Sequence, residues 1–284
     1  MMNDFISANQ VINSDKYIEI LKQTVAKCEQ HGSYLQSQLL LRITSREVTT
    51  KCPICEEISK QAATNKEVQE YLIKNQQEVK ANQIKKLFTR SGIPPRFAGR
   101  TFENFIQTTD NAHNLARVKE FCSNIKANLT NGHGLIFFGS KGTGKTHLSC
   151  AIAESAINQQ MSALFITAGE MVDDVKEAFS GGKSEKSKVA NYTVPDLLII
   201  DEVLAGVSEY EVKTIAKILN ARYNQKRSTI IITNLNVSTD ESGVATLGAV
   251  LGERIIDRLR ETNAAIRFTG SSFRDINKIN TNSK

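Results

Sequence analysis

The chain has 284 residues, 40% of them hydrophobic and 23% charged, with no tryptophan and a formal net charge of +6. That length suffices for one full α/β core plus a smaller module. With no long apolar run and no cationic-then-apolar leader, a membrane span is excluded and a protein of the cytoplasm expected. The mild basic excess suits an anionic partner such as nucleic acid but is common among unrelated proteins, and five cysteines in a cytosolic setting argue against a disulfide framework.

Residues 1–17 are polar with scattered apolar positions and carry no assignable role. Ile18, Leu21, Val25 and Cys28 are then spaced like one face of a short helix. Tyr34 to Val48 is rich in strand formers, and Cys52-Pro53-Ile54-Cys55 closes the segment. Cys28-x2-His31 followed by Cys52-x2-Cys55 gives two close pairs around a hairpin-sized insert, the arrangement tetrahedral zinc requires, because each pair clips two ligands from one turn. Structural zinc contributes roughly 10–16 kcal/mol at neutral pH, enough to let so small a unit offset its chain entropy. The competing account leaves four unconnected residues, with Cys28 in a helix core and Cys55 a buried thiol. His31 is the ligand most open to replacement by water or another group.

From Ser59 to about Phe88 the pattern is that of a long polar helix carrying Val68, Leu72, Val79 and Leu87. Between Lys74 and Arg100 the seven basic residues Lys74, Lys80, Lys85, Lys86, Arg90, Arg96 and Arg100 face a single acid, Glu78. Such a run is either a solvated face or a contact for nucleic acid or an acidic partner. Pro94-Pro95 ends the helix. The expected organisation is a zinc-binding module at 1–60, a basic helical linker at 61–97 and a nucleotide-binding domain at 98–284.

Phe97 to Phe105 leads into a helix over about 111–129 with Leu115, Val118, Phe121, Cys122 and Ile125 inward. Cys122 and Cys150 read as core residues. Leu135 to Phe138 is a short apolar strand running into Gly139-Ser140-Lys141-Gly142-Thr143-Gly144-Lys145-Thr146, which fits the phosphate-cradling P-loop spacing. The glycines let successive N–H groups converge on phosphate oxygens, Lys145 reaches the outer phosphates and the Thr146 hydroxyl can hold Mg2+. The following helix, with Leu148, Ala151, Ile152 and Ile157 on one face, aims its positive end at the anion.

Ala163 to Thr167 is a buried strand, about 170–179 a helix, and Ser180 to Lys188 a basic surface loop. Leu197 to Ile200 is a second buried strand, ending in Asp201-Glu202 at the carboxyl edge where ligands sit in an open parallel sheet. Asp201 completes the magnesium site with Thr146, and Glu202 is placed to orient or deprotonate a water attacking the γ-phosphate. Ser208 and Glu211 form a capping box before a helix with Val212, Ile215, Ala216 and Leu219 inward. Ser228 to Thr233 is a third buried strand, with Asn234 at its tip able to hold the same water from the other side. In the helix around 251–260, Arg254 and Arg258 lie four apart beside buried Leu251, Ile255 and Leu259. They need a nearby anion, which Asp257 or Glu261 can supply from the same helix. A strand at 264–268 and a polar tail finish the chain.

From about Thr101 to Arg274 the sequence resembles the AAA+ ATPases of the DnaC-type helicase loaders. The motifs that carry the resemblance are Gly139 to Thr146, Pro195 to Glu202, Thr233-Asn234, Leu251 to Arg258 and Ser272-Phe273-Arg274. The resemblance implies an α/β P-loop ATPase with a central parallel sheet, here without a full C-terminal helical lid. It makes ATP the nucleotide, Arg258 an arginine finger reaching the next subunit's site and Arg274 a sensor arginine. The N-terminal Cys-x-x-His-Gly and Cys-Pro-x-Cys strings are similar to the zinc-bearing front end of some loader relatives. The implied partners are a replicative DnaB-type helicase, single-stranded DNA and further copies of the chain. Two alternatives stay open: an IstB-like transposition helper binding duplex DNA and a transposase, and a weakly hydrolysing ATP-switch adaptor. A small-molecule kinase would need an acceptor pocket that the sequence does not suggest.

Overall fold

A computed structural model describes residues 18–180, 185–237 and 246–273. Their contacts group the chain into two units, Met1–Val79 and Lys80–Lys284.

The first unit holds a three-stranded antiparallel sheet, β1 (Ile18–Cys28), β2 (Gly32–Leu41) and β3 (Arg46–Thr49), followed by most of α1 (Pro53–Arg90). The expected helix over 18–28 is therefore a strand. A register shift between Ile20 and Lys22 explains the mistaken period. It inserts Leu21 as an extra residue, so that Ile18, Ile20 and Val25 pair with Leu41, Leu39 and Leu35 and share one sheet face. Apolar spacing across a bulge no longer reads as two. The hairpin closes on Cys28 and Gly32, where Gly32 takes φ 79°.

In the second unit five parallel strands, β4 (Gly134–Gly139), β5 (Ala163–Thr167), β6 (Leu197–Val203), β7 (Ser228–Thr233) and β8 (Asn263–Phe268), stand in the order β5-β6-β7-β4-β8. Near-continuous apolar strands such as the fully buried β7 belong to a sheet covered on both faces, and two core clusters cover it. On one face lie α2 (Ala112–Ser123), α3 (Ile125–Thr130) and α4 (Lys145–Asn158), with Ile84, Leu87 and Phe88 from the end of α1. On the other lie α5 (Ala168–Ser180), α6 (Glu185–Thr193), α7 (Glu209–Asn224), α8 (Leu247–Leu251) and α9 (Glu253–Thr262).

Four further expectations change. The helix expected over 111–129 breaks at Asn124, where Asn128 donates to the Phe121 carbonyl at 2.8 Å and so satisfies the end of α2 from a side chain. The basic stretch 180–188 is not all loop, because α6 starts at Glu185; residues 181–184 lie outside the described residues. The strand carrying Asp201-Glu202 runs on to Val203, which pairs with Thr233 past a second register shift. α4 is also buried more widely than one face, from Leu148 through Ala153 and again at Ala156 and Ile157, as befits a helix lying between the sheet and other helices. Cys122 and Cys150 are core residues whose thiols burial pushes up to about 12.

Candidate functional site

Because β7 separates β4 from β6, the loop after β4, the acids of β6 and the tip of β7 converge at the carboxyl edge of the sheet. They line one pocket of about 750 Å³ with Lys141, Gly142, Gly144, Lys145, Thr146, Asp201, Glu202, Thr233 and Asn234 on its walls.

Gly144 takes φ 95° and a Cβ there would stand 2.6 Å from the ring of Phe105. At Gly142, φ is 75° and a Cβ would meet the Ser272 hydroxyl at 2.1 Å, while Phe273 N–H donates to the Gly142 carbonyl at 3.0 Å. The loop is thus shaped for glycine twice over, by its backbone angles and by close neighbours. Lys145, 7% exposed, donates through Nζ to the carbonyls of Gly139 at 2.9 Å and Ser140 at 2.6 Å and to Asn234 Oδ1 at 3.2 Å. Its ammonium is therefore fixed between the P-loop and the tip of β7.

Thr146 Oγ1 donates to Asp201 Oδ2 at 2.8 Å, and the Glu202 N–H donates to Asp201 Oδ1 at 2.7 Å. Burial pushes the Asp201 carboxyl above its ordinary value; these two hydrogen bonds oppose that rise. A hydroxyl and a carboxylate brought together beside a phosphate cradle are a fitting oxygen pair for Mg2+. Glu202 has φ 59°, an unusual conformation for a non-glycine residue, at the point where the pairing of β6 with β7 slips. Glu202 leaves the sheet's alternation at this irregularity and lines the pocket.

Arg258 lies elsewhere in the second unit. It lines a separate cleft of about 410 Å³ with Tyr223, Lys226 and Arg227, and it donates to Asn220 Oδ1 while its guanidinium stands 5.1 Å from the Tyr223 ring centroid. Neither helix acid supplies the anion expected for the arginine pair: Glu261 accepts from the Tyr223 hydroxyl at 2.5 Å and Asp257 pairs with Arg260 at 3.4 Å. Arg254 is exposed, and Arg274 lies outside the described residues.

In the first unit Cys28, His31, Cys52 and Cys55 come together, their ligand atoms all within 4.8 Å of one another. Cys28 and His31 come from the β1–β2 turn, Cys52 from just before α1 and Cys55 from its first turn. The separations are 3.6 Å from Cys28 Sγ to both His31 Nδ1 and Cys55 Sγ, with His31 Nδ1 3.3 Å from Cys55 Sγ and 3.8 Å from Cys52 Sγ. Tetrahedral zinc with Zn–S near 2.3 Å and Zn–N near 2.0 Å has edges of about 3.5–3.8 Å, so the donor set fits the metal. Backbone N–H groups of Gln30 and His31 hold the Cys28 thiol down to about 6, while hydrogen bonding with Cys28 and burial push Cys55 up to about 11. A thiolate at Cys28 beside a reluctant thiol at Cys55 is what crowded cysteines give before a cation neutralises them.

The sequence reading missed the far wall of the nucleotide pocket. Arg96, Phe97, Arg100, Asn104, Phe105 and Ile106 line it, together with His147 and Phe273. Arg96 and Arg100 belonged to the basic run, but nothing in a charge count says that two of the seven border a phosphate cradle. It also missed Arg222, wholly buried and bonded to Thr229 Oγ1 and the carbonyls of Tyr192, Pro195, Asp196 and Ser228. A carboxy-terminal helix arginine ordinarily faces water, so no local signal marked it.

Among the described residues no helix is long and apolar enough to cross a membrane. Residues 50–281 match the family of IstB-like ATP binding proteins. The replicative helicase loader DnaC of Escherichia coli K12 is 30% identical over 203 residues, covering 70% of this chain and 79% of that protein. The DnaC of Buchnera aphidicola subsp. Baizongia pistaciae is 34% identical over 200 residues, covering 69% and 77%. Among solved structures, the DnaC helicase loader is similar with a TM-score of 0.54 at 27% identity, over 62% of this chain and 100% of that one. AMPPCP-bound DnaA from Aquifex aeolicus shares the fold, with a TM-score of 0.50 at 22% identity over 67% of this chain and 56% of that one. With its P-loop, buried Asp201 and sheet order, the chain belongs to the IstB-like ATP-binding protein family and is an AAA+ ATPase.

Proposed function

We propose that the protein is an ATP-controlled loader that binds a replicative DnaB-type helicase and delivers it to single-stranded DNA in the cytoplasm, with hydrolysis driving release. The observation that carries the reading is the meeting of Lys145, Thr146, Asp201 and Asn234 in one pocket, in a chain 30% identical to a helicase loader. ATP is held by the backbone of Gly139, Ser140, Lys141, Gly142, Thr143 and Gly144 and by Lys145, with Mg2+ on Thr146 and Asp201. Glu202 orients or deprotonates the attacking water and Asn234 holds it from the other side.

Arg258 acts in trans on the ATP of a neighbouring copy, which suits its place away from its own P-loop. A finger of that kind contributes on the order of 10³–10⁵ in rate, so hydrolysis depends on self-association. Arg274 is assigned a sensor role on resemblance alone. Zn2+ on Cys28, His31, Cys52 and Cys55 folds the 1–60 module, and this module with the 61–97 linker grips the helicase. Exposed Val25 and Leu35, paired across β1 and β2, offer apolar surface for that contact.

The test is capture of purified replicative helicase by the full chain. The IstB-like description of the family favours a second reading, a transposition helper. Failure to capture helicase beside tight duplex binding and capture of a transposase would establish it. Turnover indifferent to single-stranded DNA and to Glu202→Gln would instead mark a weakly hydrolysing adaptor.

A further inference from the structure

The residue after the magnesium-binding threonine, His147, is not used by the proposed chemistry. Its ring is half-buried and its Nε2 lies 2.9 Å from the Thr101 carbonyl oxygen. A carbonyl only accepts, so Nε2 carries the proton. Burial, and the neighbouring Arg100 to a lesser degree, hold the imidazole below its usual range, which keeps it neutral at neutral pH. The ring also stands at 90° to Phe105 with centroids 5.1 Å apart, and Phe105 is the side chain that closes on Gly144.

Thr101 lies in the 96–106 segment, of which Arg96, Phe97, Arg100, Asn104, Phe105 and Ile106 line the pocket's far wall. Phe97, Phe102 and Phe105 pack that wall against the core on the α2–α4 face, and the Asn111 amide donates to the Ile106 carbonyl at 3.0 Å. Among the described residues, the other hydrogen bonds of 95–104 stay within the segment or reach only Pro94: Phe97 N to Pro94 O, Ala98 N to Pro95 O, Arg100 N to Phe97 O, and the Thr101, Asn104 and Gly99 set. The bond from His147 crosses to the P-loop helix.

We propose that His147 is a positioning residue for the nucleotide, fastening the 96–106 wall to the P-loop helix through Thr101 and so setting how tightly ATP is held. The inference rests on Gly139–Thr146 being an ATP site. Losing that bond loosens Arg96 and Arg100 on the wall while leaving the core-packed Phe105 and Lys145, Asp201 and Glu202 in place. The effect therefore falls on affinity far more than on the chemical step.

The experiment is calorimetric titration of the full-length protein with Mg·ATP, with steady-state hydrolysis alongside, for His147→Ala, His147→Asn and His147→Gln. A glutamine amide reaches the position of Nε2 and an asparagine amide stops short. The expected result is Kd and KM raised about tenfold in Ala and Asn, with Gln within about threefold of the parent. If Ala binds ATP as the parent does, or if Gln is as weak as Asn, the crossing bond sets nothing and the proposal is overturned. Should Ala fail to fold, the Asn and Gln pair, of similar polarity, decides by the same criterion. A parent protein that binds no ATP at all would overturn the ATP reading itself, and the proposal with it.

Discussion

The hydroxyl of Thr146 donates to the Asp201 carboxylate at 2.8 Å, joining two motifs 55 residues apart in the chain. Lys145, one residue earlier, is bonded to Asn234 at the tip of the strand between them, so the P-loop helix, the end of β6 and the tip of β7 are tied to one another. A preorganised cradle of this kind binds without first having to order its parts. Lys145→Ala is therefore expected to abolish ATP binding measured by calorimetry while leaving the melting temperature within a few degrees. Retained micromolar affinity would show that the pocket is not held by this lysine.

Asp201 is buried and its carboxyl is raised, so it takes up a proton at higher pH than an exposed aspartate. Mg2+ needs the ionised carboxylate, so the magnesium-dependent part of ATP affinity should weaken on acidification at a higher pH than an exposed aspartate would give, and Asp201→Asn should remove both the magnesium dependence and its pH slope. An unchanged slope in Asp201→Asn would place the metal elsewhere.

Glu202 sits at φ 59°, and such backbone costs on the order of 1–3 kcal/mol where the surroundings enforce it. Strain at this residue is expected to serve position rather than stability. Glu202→Gln should bind ATP normally and lose at least about 100-fold in turnover. Glu202→Gly should be equally inactive yet as stable as the parent, or more stable by up to about 1 kcal/mol in urea unfolding. A glycine variant that is markedly less stable would mean that the conformation carries no strain.

For the Cys28, His31, Cys52, Cys55 cluster, the proton balance gives the sign. Between about pH 6 and pH 11 Cys28 is a thiolate while Cys55 still holds its proton, so zinc binding near pH 7.5 must expel at least one proton. Affinity should rise with pH over that window, and it should fall more steeply below about pH 6, where Cys28 too must lose a proton to bind. Titrations in buffers of different ionisation enthalpy read the release directly, and none released would disprove zinc-thiolate ligation by Cys55.

Arg222 holds the starts of β6 and β7 and the end of α6 to α7 through the buried carbonyls of Tyr192 and Ser228 and the half-buried carbonyl of Pro195. Arg222→Met leaves those acceptors unpaired and should cost about 3 kcal/mol or more in chemical unfolding. A change under about 1 kcal/mol would mean that the carbonyls find other partners.

Much of the nucleotide site was legible from local pattern. A glycine-rich turn between an apolar strand and a helix, and acids at the end of a second strand, are short-range signals, and the capping box at Ser208 and Glu211 is realised in full. The Cys and His pairs were legible for the same reason, since their chemistry lies in spacing. The strand at 18–28 was not, because a bulge at Leu21 shifts the alternation that identifies strands. Nor was the break at Asn124, which depends on the Asn128 side chain reaching back to Phe121.

From residues alone came the kind of chemistry: a glycine-rich phosphate cradle, a hydroxyl and a carboxylate able to offer oxygens to a cation, and two close Cys/His pairs that could hold a metal ion. Three-dimensional packing settled which distant groups join them. Arg96, Arg100 and Phe105 border the P-loop pocket, His147 reaches Thr101, Arg258 rests on Asn220 and Tyr223, and Arg222 lies buried among carbonyls. Those pairings are set by strand order and helix docking, which depend on contacts between segments far apart in the chain, and no window of local sequence contains both partners.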